Sequence, residues 1–505
     1  MSSPFYITTP IYYVNDVPHI GHAYTTLACD VMARFKRLDD FEVFFLTGTD
    51  EHGQKVETAA NNKGLKPQDF VDDVSVNFRS LLKCMNFSND DFIRTTEERH
   101  FNSCQRIWNK LVENGNIYLG KYSGWYAVRD EAFFLESEVV DGKAPSGAPV
   151  EWVEEPSYFF NLSKWQDKLL KYYDENKDFI SPNTRRNEVI SFVKGGLKDL
   201  SVSRTSFSWG IKVPNDEQHI MYVWLDALTN YLSACDYANN ENNMKNSKFW
   251  PADIHMVGKD IIRFHAVYWP AFLMAAELPL PKKVFAHGWW TNEGNKISKS
   301  LGNVINPFDL VEEYGVDQIR YFLMREVPFG NDGDFSKTQL NNRINSDLAN
   351  SYGNLFQRVV SMICKNCNKT IPQKPEIINK EDLVLVNSLK DNIDDYRSLI
   401  DNQKFDQFLK NIWLVISSAN KYTDEQAPWS LKKTDFKRME VVLFTLIETL
   451  RQISILLQPF LPNTTKSVLD QIKIPLNERN FKHLENIYKG EEKIELPEPL
   501  FPRVQ

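Results

Sequence analysis

Two short stretches carry side chains suited to one kind of chemistry. His19 and His22 flank Gly21 in the order His19-Ile20-Gly21-His22, just ahead of a segment with helical spacing. Far down the chain, after Gly288 and Gly294, the run Lys296-Ile297-Ser298-Lys299-Ser300 is polar and cationic. A helix N-terminus offers unpaired backbone N–H groups and a positive field, so imidazoles there can donate to phosphate oxygens as charge builds in a transition state. Gly21 leaves room for a flat ring against the backbone. Two lysines on a closing loop can neutralise a departing pyrophosphate. Each stretch alone has an ordinary reading, as capping histidines or a solvated loop. Together, each beyond the carboxyl end of an expected strand of one sheet, they point to a nucleotide.

The elements that must position them are legible as periodicity. Residues 4–14 alternate as a buried strand, residues 23–38 place Leu27, Val31, Met32, Phe35 and Leu38 at helical spacing, and residues 41–46 return to a strand. A strand, helix, strand unit implies a parallel sheet with a right-handed crossover, whose ligands bind beyond the carboxyl ends of the strands. Thr47-Gly48-Thr49-Asp50-Glu51-His52-Gly53 lies at one such end. The pattern resumes with a strand over 253–258, a helix over 260–276 and a strand over 283–287, so the sheet is split. The expected domains are the first half of the sheet (1–117), an inserted domain (118–218), the second half (219–288), a loop and stem-contact region (289–340), and a helical bundle with its tail (341–505). Asn306 before Pro307 is a helix start signal. The tail from residue 477 is expected to pack back in extended form.

Composition narrows the function. A chain of 505 residues exceeds one compact core. Lys plus Arg is 59 against 67 for Asp plus Glu, so the formal charge of -8 leaves no uniformly basic surface and argues against indiscriminate nucleic-acid binding. A local basic stripe on one domain stays open. Six cysteines, scattered at 29, 84, 104, 235, 364 and 367, make no disulfide framework and suggest a reducing compartment. The N-terminus lacks a basic-then-apolar leader, and no apolar run approaches the ~20 residues that span a bilayer. A cytoplasmic location is expected.

His19-Ile20-Gly21-His22 and Lys296-Ile297-Ser298-Lys299-Ser300 resemble the two signatures of class I aminoacyl-tRNA synthetases, with Ile297 where the second usually has Met, a nearly volume-conserving change. Within the class the chain is similar to the methionyl-tRNA synthetase family from Tyr6 to about Pro462. The similarity is carried by Thr9-Pro10-Ile11-Tyr12-Tyr13-Val14-Asn15, Gly48-Thr49-Asp50-Glu51-His52-Gly53, Tyr222-Val223-Trp224-Leu225-Asp226-Ala227-Leu228, Gly258-Lys259-Asp260-Ile261-Ile262-Arg263-Phe264-His265 and Ala427-Pro428-Trp429. The resemblance implies an α/β fold, a doubly wound parallel sheet of Rossmann type split by an inserted domain, then an all-α anticodon-binding bundle. It implies ATP-dependent ligation of L-methionine to tRNA(Met), initiator included, through a methionyl-adenylate.

Carried over by position, the resemblance puts the methionine side chain among Ile11, Tyr13, Trp224, Ala227, Leu228, Tyr231, Ile261 and His265, with Asp50 on the ammonium group. An aromatic wall suits a polarizable thioether, and one polar group such as Tyr13 or His265 can recognise sulfur. ATP is expected at His19, Gly21, His22, Gly258, Asp260, Lys296, Ser298 and Lys299. His19, His22, Lys296 and Lys299 are the catalytic set, with Mg2+ on the departing pyrophosphate. No side chain need be a nucleophile, because the substrate carboxylate attacks the α-phosphate itself. Asn354, Arg358, Pro428 and Trp429 match anticodon-reading positions, with Lys421 and Tyr422 as backbone contacts.

Many members of the family carry zinc knuckles of paired cysteines in the insert. Here residues 117–134 contain none, and Tyr118, Tyr122, Trp125, Tyr126 and the pair Asp130-Glu131 stand in their place. A metal-free knuckle held by aromatic packing is expected. Cys364-Lys365-Asn366-Cys367 alone lacks two ligands of a structural zinc site, so no metal site is expected. The expected partners are L-methionine, ATP and both ends of tRNA(Met), with no DNA and no membrane, and a monomer, since little chain follows the bundle. A small nucleotidylyltransferase would not need the insert and bundle. A leucine, isoleucine or valine synthetase would carry a larger editing insert. A non-catalytic tRNA-binding relative should have lost His19, His22 or Lys299.

Overall fold

The computed structural model describes residues 2–14, 17–130, 132–134, 136–239, 244, 247–296 and 303–504. A parallel sheet runs in the order Tyr12–Tyr13, Glu42–Asp50, Pro4–Thr8, Ile254–Gly258, Val284–His287, Ile180–Ser181, and Asp91–Arg94 also pairs with Glu42–Asp50. Ile7 lies between Phe45 and Ile254 in register. Tyr6, Ile7, Phe45, Leu46, Met256 and Val257 are fully buried, as expected of parallel strands covered on both faces. From Pro4–Thr8 the chain winds outward through the helix Ile20–Leu38 to Glu42–Asp50, and the second half builds the opposite side from Ile254–Gly258. The strand order reverses between these central strands, and the crevice at their carboxyl ends is where such sheets bind ligands.

The helix expected over 260–276 is interrupted. A 3-10 turn, Lys259–Ile261, leads to a π-helical segment, Phe264–Tyr268, and then the α-helix Trp269–Ala275. Pro270 has no N–H to give the carbonyl of Ala266, so the regular ladder fails there. The Tyr173 hydroxyl takes that carbonyl at 2.5 Å, satisfying the freed acceptor.

Between the halves, Ile117–Ala127 and Glu151–Phe160 form a long antiparallel hairpin joined by Ala132–Phe134 and Leu200–Ser201. A second small antiparallel sheet joins Ser203–Arg204, Asp216–Met221 and Lys212–Val213. One stretch inside 118–218 returns to the core: Ile180–Ser181 pairs in parallel with Val284 and Phe285 at the sheet edge. Two residues are too short a run to carry a strand signal, and only pairing reveals them.

Asn306 caps Pro307–Tyr314 by accepting from the Phe308 N–H at 3.0 Å. The helical region begins with Lys337–Arg343, a π segment Ile344–Gly353 and Asn354–Asn366, and includes the 22-residue helices Phe405–Gln426 and Phe436–Leu457. The tail lies extended against it: Lys493 bridges Thr370, and Val504 pairs with the side chain of Asn345. The two regions are tied by a buried ion pair. Arg320 donates to Asp30 of Ile20–Leu38 at 2.6 Å, to the carbonyls of Pro459 and Phe460, and to that of Met85. Among the described residues no helix is long and apolar enough to cross a membrane.

Candidate active site

The helix Ile20–Leu38 begins with an unusual cap built from both signature histidines. His19 Nδ1 accepts the Gly21 N–H at 3.0 Å, and His22 Nδ1 accepts the His19 N–H at 3.1 Å. Their rings lie 3.9 Å apart. With both Nδ1 atoms accepting, each neutral ring carries its proton on Nε2, leaving that N–H as the donor not used by the cap. Burial lowers the pKa of both imidazoles, and His19 lowers that of His22 further, so neither is an imidazolium at neutral pH. The flat ring lying against Gly21 is that of His19: a Cβ at Gly21 would come within 2.9 Å of its Cε1.

Beside this cap, at the carboxyl ends of the central strands, is a cavity of about 550 Å³. It brings together Ile11, Tyr13, His19, Gly21, His22, Asp50, Trp224, Ala227, Leu228, Tyr231, Gly258, Asp260, Ile261 and His265. Trp224, Ala227, Leu228 and Tyr231 lie at i, i+3, i+4 and i+7 on the helix Val223–Ser233 and therefore share one face. Asp50 ends its strand, buried, with its carbonyl accepting the Val14 N–H. A Cβ at Gly258 would fall 2.5 Å from Asp260 Oδ1, which itself accepts the Trp289 indole N–H at 3.1 Å.

The proton inventory at the cavity floor departs from the expectation for sulfur recognition. His265 Nδ1 is 3.0 Å from the carbonyl of Ile261 and so must donate there, and its Nε2 accepts from the Tyr231 hydroxyl at 2.7 Å. Both nitrogens are engaged, so the polar atom His265 steers is the Tyr231 oxygen. Burial brings the His265 pKa down to about 4, and raises that of Tyr231. Tyr13 is half-buried at the rim, with Lys55 Nζ 5.2 Å from its ring centre.

Several lining residues escaped the sequence reading. Phe264 stacks on Trp224 at 3.4 Å and 7°. His287 holds Thr25 Oγ1 through Nε2 at 2.7 Å while its Nδ1 faces the carbonyl of Gly288. Lys55, Asp130 and Trp289 also line the cavity. His287 ends the strand Val284–His287 and Trp289 follows it, so the rule placing ligands at carboxyl strand ends would have found them. Asp130 comes from the insert, and no local signal announces it.

Lys296 ends the strand Asn295–Lys296. Its side chain, and Ser298 and Lys299 entirely, lie outside the described residues. The expected anticodon positions gather in one corner of the bundle. Asn354 and Arg358 share a face of Asn354–Asn366, Arg358 pairs with Asp424 at 2.6 Å, and its guanidinium lies 5.9 Å from the ring centre of Trp429. Trp429 is 49% exposed, not core, because Pro428 starts a new helix from Ala427 in the left-handed conformation and turns the indole outward. Tyr422 is a correction: it is buried and donates to Asp382 at 2.5 Å, so it cannot reach a phosphate backbone. Lys421 is exposed beside Glu425.

No cysteine lies between Cys104 and Cys235. In the knuckle, Trp125 and Trp152 pack edge to face, Ser146 donates to Asp130, and Arg129 donates to the Ser146 carbonyl. Glu131 and the side chain of Tyr122 lie outside the described residues. Among the described residues, the His, Cys, Asp and Glu side chains clustered closely enough to hold an ion are His100, Cys104 and Asp226. That group does not include Cys364 or Cys367, whose thiols burial makes less acidic.

The model of class I tRNA synthetases of the M group matches residues 5–151 and 144–360, and the model of the anticodon-binding domain of methionyl tRNA ligase matches residues 371–505. A parallel sheet with a histidine-capped helix at its switch point, joined to a helical anticodon-binding region, defines a class I aminoacyl-tRNA synthetase. The chain is 59% identical to a methionine–tRNA ligase of Rickettsia felis over 100% of this chain and 99% of that one, and 54% identical to that of Rhizobium meliloti. A structure of Mycobacterium tuberculosis methionyl-tRNA synthetase in complex with methionyl-adenylate superposes with TM-score 0.96 at 47% identity, covering 99% of this chain and 100% of that one. The chain belongs to the methionyl-tRNA synthetase family.

Proposed function

We propose that this enzyme activates L-methionine with ATP and esterifies it to tRNA(Met), initiator tRNA included. The observation that carries the reading is the one cavity that joins the histidine cap to an aromatic wall and a buried carboxylate. Asp50 holds the ammonium group, and Trp224, Ala227, Leu228, Tyr231, Ile11, Tyr13 and Ile261 surround the side chain, with His265 orienting the Tyr231 hydroxyl. The carboxylate of methionine attacks the α-phosphorus of ATP, the bond to the bridging oxygen breaks, and pyrophosphate leaves. The Nε2–H groups of His19 and His22, with Lys296 and Lys299 of the signature loop, stabilise the charge that develops. Gly21, Gly258, Asp260 and Ser298 bind the nucleotide. In the second step a ribose hydroxyl of the terminal adenosine attacks the acyl carbon and AMP leaves.

Mg2+ would supply neutralisation of the charge on the phosphates. The ion would enter as the Mg2+ complex of ATP, held by the phosphates rather than by a dedicated protein cage. The cysteine-free knuckle supports a fold without zinc there. Arg358, Asn354, Pro428 and Trp429 read the anticodon, supported by their common corner. We further read the enzyme as a cytoplasmic monomer.

Pyrophosphate exchange with ATP, Mg2+ and each of the twenty amino acids tests the reading. Methionine alone should support exchange, and Lys299→Ala should reduce it by ~10²-fold or more. Exchange with a different amino acid overturns the pocket assignment, and none in folded protein overturns the catalytic reading.

A further inference from the structure

The helix Val223–Ser233 has two polar-distinct faces. Its front face carries the cavity wall already described, and its back face carries Asp226, Thr229 and Ser233, all buried. Asp226 Oδ2 accepts His52 Nδ1 at 2.7 Å, and its Oδ1 accepts His100 Nε2 at 2.7 Å. His100 Nδ1 meets Ser233 Oγ at 3.0 Å, and Ser233 donates to the Thr229 carbonyl. Cys104 Sγ lies 3.3 Å from His100 Nε2. His52, His100 and Asp226 are at most 2% exposed.

These contacts are hydrogen bonds, not a coordination sphere. A first-row metal bound at about 2.0–2.3 Å spreads neighbouring tetrahedral ligand atoms to roughly 3.3 Å or more. His100 Nε2 and Asp226 Oδ1 at 2.7 Å are too close for that.

What the network joins gives it meaning. His52 follows Asp50 by two residues on the segment leaving the strand Glu42–Asp50. That segment is braced in turn: Glu51 accepts from Thr49, Arg94 and Thr96, and its carbonyl accepts the Trp209 indole N–H. The helix bearing the wall is not part of the sheet. At its far end Tyr6 of the sheet donates to the Tyr231 carbonyl at 3.0 Å, and at its near end Asp226 makes the link to His52. Asp50 and the wall are thus held at a set separation by a carboxylate that does not itself line the cavity.

We infer that Asp226, through His52 and His100, is a positioning residue that sets the distance between the ammonium-binding carboxylate and the side-chain wall, and so the length of amino-acid side chain the enzyme accepts. The inference rests on the methionine reading of the cavity. A carboxylate suits the task because it accepts from both imidazoles at once, in directions fixed by its plane, and buried polar networks with every member satisfied are rigid.

The test is pyrophosphate exchange by the full chain with methionine and with ethionine, one methylene longer, for wild type, His52→Asn, Asp226→Asn and the double variant. Each single variant should raise the KM for methionine about tenfold, leave kcat and the KM for ATP within about twofold, and reduce the preference for methionine over ethionine at least about threefold. The double variant should lose no more than the worse single, as expected of one linkage. His52→Asn serves where Asp226→Asn does not fold. Unchanged discrimination, or equal loss in kcat and in the KM for ATP, would overturn the inference as a general structural effect. Failure of wild type to exchange with methionine would instead remove the reading beneath it.

Discussion

The Tyr231 hydroxyl lies 2.7 Å from His265 Nε2, and because His265 Nδ1 must donate to the carbonyl of Ile261, the proton between them belongs to tyrosine. One backbone carbonyl thereby sets the direction of the hydrogen bond at the cavity floor. The Tyr231 oxygen is left with lone pairs, and the floor presents an apolar ring with a fixed dipole rather than a movable donor.

Tyr231→Phe should leave His265 Nε2 buried without a partner. The expected cost is about 1–3 kcal/mol of stability, read by denaturant unfolding, together with a raised KM for methionine. His265→Ala should lose stability more steeply, since it also opens a cavity.

Acid should weaken the fold before carboxylates are the cause. His265 ordinarily titrates near 6.5 but holds its proton only below about 4 in the folded chain. The unfolded chain therefore binds an extra proton between these values. Stability is fully present above about pH 6.5 and declines as pH falls toward 4, by at most about 3 kcal/mol from this ring. His22, His255 and His287, also depressed by burial, act in the same direction. Urea midpoints at pH 7 and pH 5 check it, and His265→Gln should flatten part of the slope.

His19→Asn and His22→Asn separate chemistry from binding. Each removes an Nε2 donor from the helix cap, and exchange kcat should fall by ~10²–10³-fold. Methionine affinity, measured by equilibrium dialysis without ATP, should stay within about twofold. A matching loss of affinity would count against transition-state stabilisation.

Arg320 and Asp30 form a fully buried pair that joins the signature helix to the chain leaving Phe436–Leu457. Arg320→Ala takes one of two guanidinium partners from Asp30, leaving Arg34 Nε at 2.8 Å, and frees the carbonyls of Met85, Pro459 and Phe460, so a loss of about 3 kcal/mol is expected. Arg320→Met with Asp30→Leu should recover only part of it, because Arg34 and Ser88 then lose the carboxylate to which they donate. Calorimetry of wild type and the two variants checks the order.

Trp429→Ala and Arg358→Ala should cut kcat/KM for aminoacylation about 10-fold or more, within the ~1–3 kcal/mol per base of stacking on an aromatic side chain. Amino-acid exchange without tRNA should be unchanged. Equal losses in both assays would assign these residues to folding.

The sequence by itself determined the parallel sheet, its split and the helical region, because these arise from local periodicity: apolar runs for doubly covered strands, a 3.6-residue repeat for the helix Ile20–Leu38, and Asn306-Pro307 for a helix start. Through strand-end motifs and the family resemblance it also named many of the residues that line the cavity, but not Phe264, His287, Lys55, Asp130 or Trp289. Only the tertiary structure decided what those residues do to one another. The tautomers of His19, His22 and His265 depend on which backbone groups they face, which no spacing encodes. The π-helical turn before Pro270 survives because Tyr173, far off in sequence, satisfies the Ala266 carbonyl. The strand Ile180–Ser181 exists only through its neighbour, and Tyr422 became core while Trp429 stayed outside because burial is settled by what packs against a side chain. Periodicity is written along the chain, whereas hydrogen-bond partners and burial are made between segments distant in it.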